Sequence, residues 1–166
     1  TNTSQVLEVK RQIPHELTHL LLYQKLGEGY ANLPRWLNEG LATNAELSPD
    51  PNYPVLLQRG YERDVLLPLA SLCESFPNEA ANFQLAYAQA ASFTRYLQTE
   101  FGKAGIEALL GAYGQGASCQ EGIVTALGKS LFELERAWRQ EQFDESAILS
   151  AFQNLWHWLL ILALIL

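Results

Sequence analysis

Apolar residues recur at helical spacing along most of this chain. The clearest stretch runs from Asn78 to Phe101, where Phe83, Tyr87, Ala90, Thr94 and Leu97 fall on one stripe. Gly102 breaks this helix, and a second is predicted over 103–113 before Gly114. Nearer the start, the pattern predicts a helix over 14–26, stopped by Gly27 and Gly29, and another over 35–47 that begins after Pro34. Pro14 either starts the first of these or kinks it. Ser118 to Glu121 and Ser130 to Glu133 match the Ser-x-x-Glu capping box and mark two more helix starts. A short strand is predicted near Val6 to Lys10 alone. Residues 48–77 hold five prolines and two tyrosines and read as a long irregular connection. The expected fold is mainly α, with little or no sheet.

The C-terminal residues break the amphipathic pattern. Residues 158–166 are all apolar, whereas a helix docked on a core keeps a polar face. The run back to Leu155 is twelve residues, interrupted by His157. That is short of the ~20 residues a membrane span needs, so it reads as the beginning of a transmembrane helix, with Trp156 and Trp158 at the interface. The expected division is a domain over 1–145 and a C-terminal apolar helix within 146–166. Few basic residues flank that segment, which by the positive-inside rule places the domain outside the cytoplasm, attached to the cell membrane by a single pass. The opening Thr1 to Gln12 carries no signal-peptide pattern and reads as the interior of a longer protein. Cys73 and Cys119 permit one disulfide in such a compartment, or stand as two isolated thiols.

At 166 residues and 48% apolar content, the chain suffices for one globular domain with a sizeable core. The net charge is -7 and the eleven basic residues are scattered, which argues against nucleic acid as a partner.

The chemistry concentrates in His15-Glu16-Leu17-Thr18-His19, which uses two of the three histidines present. On a helix, residues four apart share a face, so both imidazoles can point at one metal ion with Glu16 alongside. A catalytic zinc usually takes three protein ligands and keeps a position for water, so a third ligand is required. Glu39, in Trp36-Leu37-Asn38-Glu39-Gly40-Leu41-Ala42, is the candidate, with nineteen residues between it and His19. The eight-residue connection from Gly27 to Pro34 is long enough to bring it back to the histidines. Glu46 lies seven residues beyond Glu39 and can return to the same face to orient a histidine, or be a solvated glutamate at a helix end. Asn38 could instead bind substrate backbone.

His15, Glu16, His19 and the WLNEGLA segment resemble the gluzincins, zinc peptidases with two histidines and a glutamate on the metal. WLNEGLA is similar to the WLNEGFA segment of zinc aminopeptidases, but the spacing of nineteen matches thermolysin-like enzymes instead. No GxMEN-type segment is present, so aminopeptidase specificity does not carry over. The overall pattern, including Ala86 to Gln89, Ser92 to Leu97 and Leu134 to Trp138, is most similar to the bacterial peptidase MA-like domains, over roughly residues 10 to 140. The resemblance implies a zincin-like helical domain with one Zn2+ held by His15, His19 and Glu39. It implies Glu16 as general base and acid, and a peptide or protein substrate. It also implies a sheet preceding the metal helix, so that this chain is the helical part of its enzyme.

Such chemistry also needs a donor for the developing oxyanion. Tyr87, on the inward stripe of its helix, is the candidate, with Tyr96 behind it; the competing role for either is a core tyrosine with a hydrogen-bonded hydroxyl. Two other functions compete with the peptidase. One is a membrane-attached binding module that keeps the metal fold without turnover, and the other is hydrolysis of a non-peptide amide or ester. An intact Glu16 favours the enzyme.

Overall fold

The computed structural model describes residues 3–143, and among these the chain is helical throughout, without strands. The helices are α1 (Thr3–Leu26), α2 (Arg35–Ala45), α3 (Tyr53–Glu62), α4 (Ala80–Gly114), α5 (Cys119–Leu127) and α6 (131–143), with 3-10 segments at Gly27–Asn32 and Leu69–Leu72. The predicted strand near Val6 to Lys10 instead lies in the first two turns of α1. The expected irregular stretch over 48–77 contains α3, with Pro54 tolerated in its first turn, and the segment Leu69–Leu72. None of the described helices is long and apolar enough to cross a membrane. The C-terminal apolar segment, 146–166, lies outside the described residues.

Pro14 neither starts nor ends α1. It sits in the helix interior, where a proline removes the N–H that would bond the carbonyl of residue i-4. Here that carbonyl belongs to Lys10, and it accepts from Leu47 N–H at 3.1 Å. The carbonyl released by Pro14 thereby holds the chain just past α2. Arg11 Nε donates to Ser48 O at 3.3 Å beside it. Gly27 then takes φ of +57° and ends α1 in a left-handed turn.

α4 is the central element, packed against α2, α3, α5 and the segment after α1. It comprises two helical stretches joined at Gly102, whose φ of +61° only glycine adopts readily. Phe93 at its middle contacts Trp36 edge-on at 5.1 Å and Trp138 of α6 at 5.9 Å, and all three are buried. Buried Gln89 uses both ends of its amide on Leu67, accepting from its N–H and donating to its carbonyl, so the loop after α3 is tied to α4. The capping boxes form at Ser118/Glu121 and Ser130/Glu133.

Two features seat α2. Cys73 and Cys119 form a disulfide, and Cys73 O accepts from Arg35 N–H at 2.7 Å, so the cross-linked loop caps the first turn of α2. Gly40 is the point of closest approach to α4: a Cβ there would lie 2.4 Å from Ala90 O and 2.2 Å from Thr94 Oγ1. Ala90 O is backbone and cannot move aside without shifting α4. Gly40→Ala is therefore expected to lower stability by at least about 1–3 kcal/mol. Gly111→Ala on α4, with nothing within 4 Å of the added methyl, is expected to be neutral or stabilising by up to about 1 kcal/mol. Chemical denaturation of the two variants measures both.

Candidate metal centre

α1 and α2 bring His15, His19 and Glu39 together. The Nε2 atoms of the two histidines lie 3.3 and 3.8 Å from one oxygen, Glu39 Oε2. Ligands at 2.0–2.2 Å on a tetrahedral zinc are about 3.3–3.6 Å apart, so the three donors have the separation that a single ion requires. The Glu39 side chain is 4% exposed, and Oε2 has no hydrogen-bond partner. A buried carboxylate oxygen left unsatisfied is costly unless a cation or donor meets it. The three residues therefore fit a metal ion and could hold one, with each residue contributing one donor.

The other ring nitrogens are occupied. His15 Nδ1 lies 3.0 Å from Glu46 Oε1, and His19 Nδ1 lies 2.9 Å from Asn38 Oδ1. With both Nδ1–H groups donating to these oxygens, both Nε2 lone pairs face Glu39, the tautomer that metal binding needs. Asn38 is oriented in turn, because its Nδ2 donates to Tyr30 Oη at 3.0 Å. Asn38 thus faces His19 and Tyr30 and is buried. Glu46 reaches His15 from the position that caps the end of α2, where the chain has already left helical geometry.

Glu39 has a third neighbour, Arg35 one turn earlier, whose Nη2 pairs with Oε1 at 3.0 Å. The carboxylate is thereby oriented, with one oxygen on the guanidinium and the other on the histidines. Arg35 also lies over the Phe76 ring at 5.9 Å. Its i,i+4 offset from Glu39 was visible in the sequence. Tyr30 had no such signal, since its role depends on how the 3-10 segment packs against α1 and α4.

Tyr87 reaches the centre from α4. Its ring centroid is 6.4 Å from that of His15, Phe76 and Phe83 flank it at 5.1 and 5.0 Å, and its hydroxyl faces Glu39 and Arg35. Tyr96, nine residues on, lies on the opposite side of α4, packed on Phe93 with Glu100 and Glu141 as its charged neighbours. Glu16 is exposed and lines a cavity of about 400 Å³ together with His15 and Tyr87.

Burial, followed by the Glu39 charge, pushes the Tyr87 hydroxyl up to about 12, so it keeps its proton at neutral pH. Protonated at Nε2, His15 would hydrogen-bond Glu39, which raises it above 6.5; burial opposes this and Glu46 reinforces it. For Glu39 burial acts upward, but His15, Arg35 and His19 outweigh it and hold the carboxyl below its ordinary value. Glu46 moves the other way, raised chiefly by burial.

Fold and site together define a helical, metallopeptidase-like domain with an HExxH helix and a glutamate on the next helix. The family model for the Peptidase MA superfamily matches residues 2–143. The chain belongs to the Peptidase MA superfamily. No curated protein and no solved structure matched it.

Protons and a metal compete for His15 Nε2. In the metal-free protein the protonated His15 paired with Glu39 contributes stability that is fully present below pH 6.5 and lost as pH rises through the raised His15 pKa. Metal affinity should therefore increase with pH up to that value, and the His15 share of the protons released per ion bound should vanish above it, leaving the release from the bound water. Calorimetric titration of zinc in two buffers of different ionisation enthalpy, repeated across pH 6.5 to 9, measures the release.

Proposed function

We propose that this protein is a zinc-dependent peptidase. The observation that carries the reading is the convergence of His15 and His19 Nε2 on a buried, unsatisfied oxygen of Glu39, with Glu16 in the adjoining cavity. His15, His19 and Glu39 would hold the zinc, which when bound acidifies water and polarises a carbonyl.

This chain's own residues do the remaining work. Glu16 follows His15 on α1 and shares its cavity, so its carboxylate is placed to take a proton from the attacking water and deliver it to the leaving amine. Tyr87 keeps its hydroxyl proton and donates it as a hydrogen bond to the oxygen on which negative charge develops. Glu46 and Asn38 fix the two imidazoles, and Arg35 fixes Glu39, so the ligands are held in place before the ion arrives. The Cys73–Cys119 disulfide supports an oxidising, extracytoplasmic location for the domain. We take the apolar segment 146–166 to be its membrane anchor.

Zinc content and cleavage of a mixed peptide library test the reading. The wild type and Glu16→Gln should each bind about one zinc, and only the wild type should cleave. Zinc bound without cleavage would leave the binding module, and no zinc would remove both. Tyr87→Phe should lower kcat by about 10²–10³ with KM and zinc content little changed. A variant with unaltered kcat would exclude Tyr87 from the chemistry.

A further inference from the structure

The cavity beside His15 and Glu16 has walls unlike those of an apolar specificity pocket. Its aromatic side is Tyr53, Phe83 and Tyr87, and carboxylates from three directions share the rest of its lining: Glu8 on α1, Glu46 at the end of α2, and Asp50 before α3. Arg11 is the single Lys or Arg among the lining residues. It is already engaged, with Nε 3.6 Å from Glu46 Oε2, a guanidinium nitrogen 4.0 Å from Glu8, and a hydrogen bond to Ser48 O. Arg11, even with a protonated His15, cannot balance Glu8, Glu46, Asp50 and Glu16, so the cavity keeps a negative excess.

A second observation points the same way. Glu46 is 4% exposed at its side chain, and while Oε1 meets His15, Oε2 has no hydrogen-bond partner. Glu46 lines this cavity, and beyond Arg11 Nε at 3.6 Å its Oε2 has no cation near it among the described residues, so an incompletely paired carboxylate belongs to the wall. Aromatic faces with carboxylates beyond them are the surroundings that a guanidinium or ammonium on an apolar stem prefers, because the stem packs on the rings while the head pairs with the acids. An acidic group would face repulsion there, and an aliphatic one would leave the carboxylates unpaired.

We infer that this cavity is a substrate subsite selecting a cationic group next to the scissile bond, with Tyr53 and Phe83 contacting the stem and Glu8 and Asp50 pairing with the head. The inference rests on the metallopeptidase reading, since it is the nearness of His15 and Glu16 that makes the cavity a subsite. The group is an Arg or Lys side chain or the α-ammonium of a substrate, and peptides with free and acetylated N-termini separate these sources. Equal processing of both at Arg or Lys assigns the side chain. Cleavage of free-amino peptides at the first bond alone assigns the ammonium.

Binding tests the subsite without requiring turnover. The probes are N-acetylated amino-acid hydroxamates bearing arginine, norleucine or glutamate, titrated calorimetrically into zinc-loaded protein whose zinc content has been measured. The arginine compound should bind about tenfold more tightly than the norleucine compound, and the glutamate compound most weakly. In Glu8→Gln/Asp50→Asn the arginine-to-norleucine ratio should fall towards one. Three hydroxamates within twofold of one another on zinc-loaded protein, together with no gain in affinity when the norleucine compound carries a free amine, or an arginine preference that survives the double variant, would overturn the subsite. Selective binding without peptide cleavage would support the subsite and count against hydrolysis. Protein that takes up no zinc would instead defeat the metal reading on which the subsite depends.

Discussion

A carboxylate placed almost out of reach of water must be met by positive charge or by donors, and Glu39 is in that position. Arg35 answers one oxygen, and the imidazoles of His15 and His19 surround the other. The rest of the domain is organised so that this meeting takes place. α2 must lie close enough to α4 to bury Glu39, which Gly40 allows by bringing backbone against Ala90 and Thr94. α1 must then lie against α2 in one register. The Lys10 carbonyl released by Pro14 helps set that register by taking the Leu47 N–H at the other helix's end.

The domain divides into a stabilising part and a working part. Trp36, Phe93, Tyr113, Leu134 and Trp138 form a closed core around α4, with α2 on one side and α5 and α6 on the other. α1 contributes little to it, since Leu22 is its one buried apolar residue among those described, while Val6, Val9, Ile13, Leu17 and Leu20 remain exposed along one stripe. The HExxH helix is thus held largely by polar contacts: the Pro14 arrangement, His15 to Glu46, and His19 to Asn38. Such contacts are directional and fix the imidazole angles, which greasy packing alone would not do.

Most helices were legible because their signals are local. The Gly102 break, the two capping boxes and the Pro34 start depend on backbone preferences within a few residues, and each appears where the spacing placed it. Elsewhere local signals point away from the structure. Val6 to Lys10 looks like a strand for its two β-branched valines, yet they belong to a helix whose proline sits well inside it. The prolines of 48–77 suggested irregularity, although Pro54 at the start of α3 favours a helix.

The HExxH box by itself determined that two imidazoles and one carboxylate share a stretch of helix, since a four-residue interval is fixed by helix geometry alone. WLNEGLA supplied a further carboxylate and a glycine at a chain distance from which return was possible. What these residues would face was decided by tertiary structure. Tyr30 behind Asn38, Tyr87 beside Glu39, and the Cys73 carbonyl on the first turn of α2 each join segments with no shared local pattern. The difference is physical: the period of a helix is set by its own hydrogen bonds, whereas a metal centre is set by how separate helices pack.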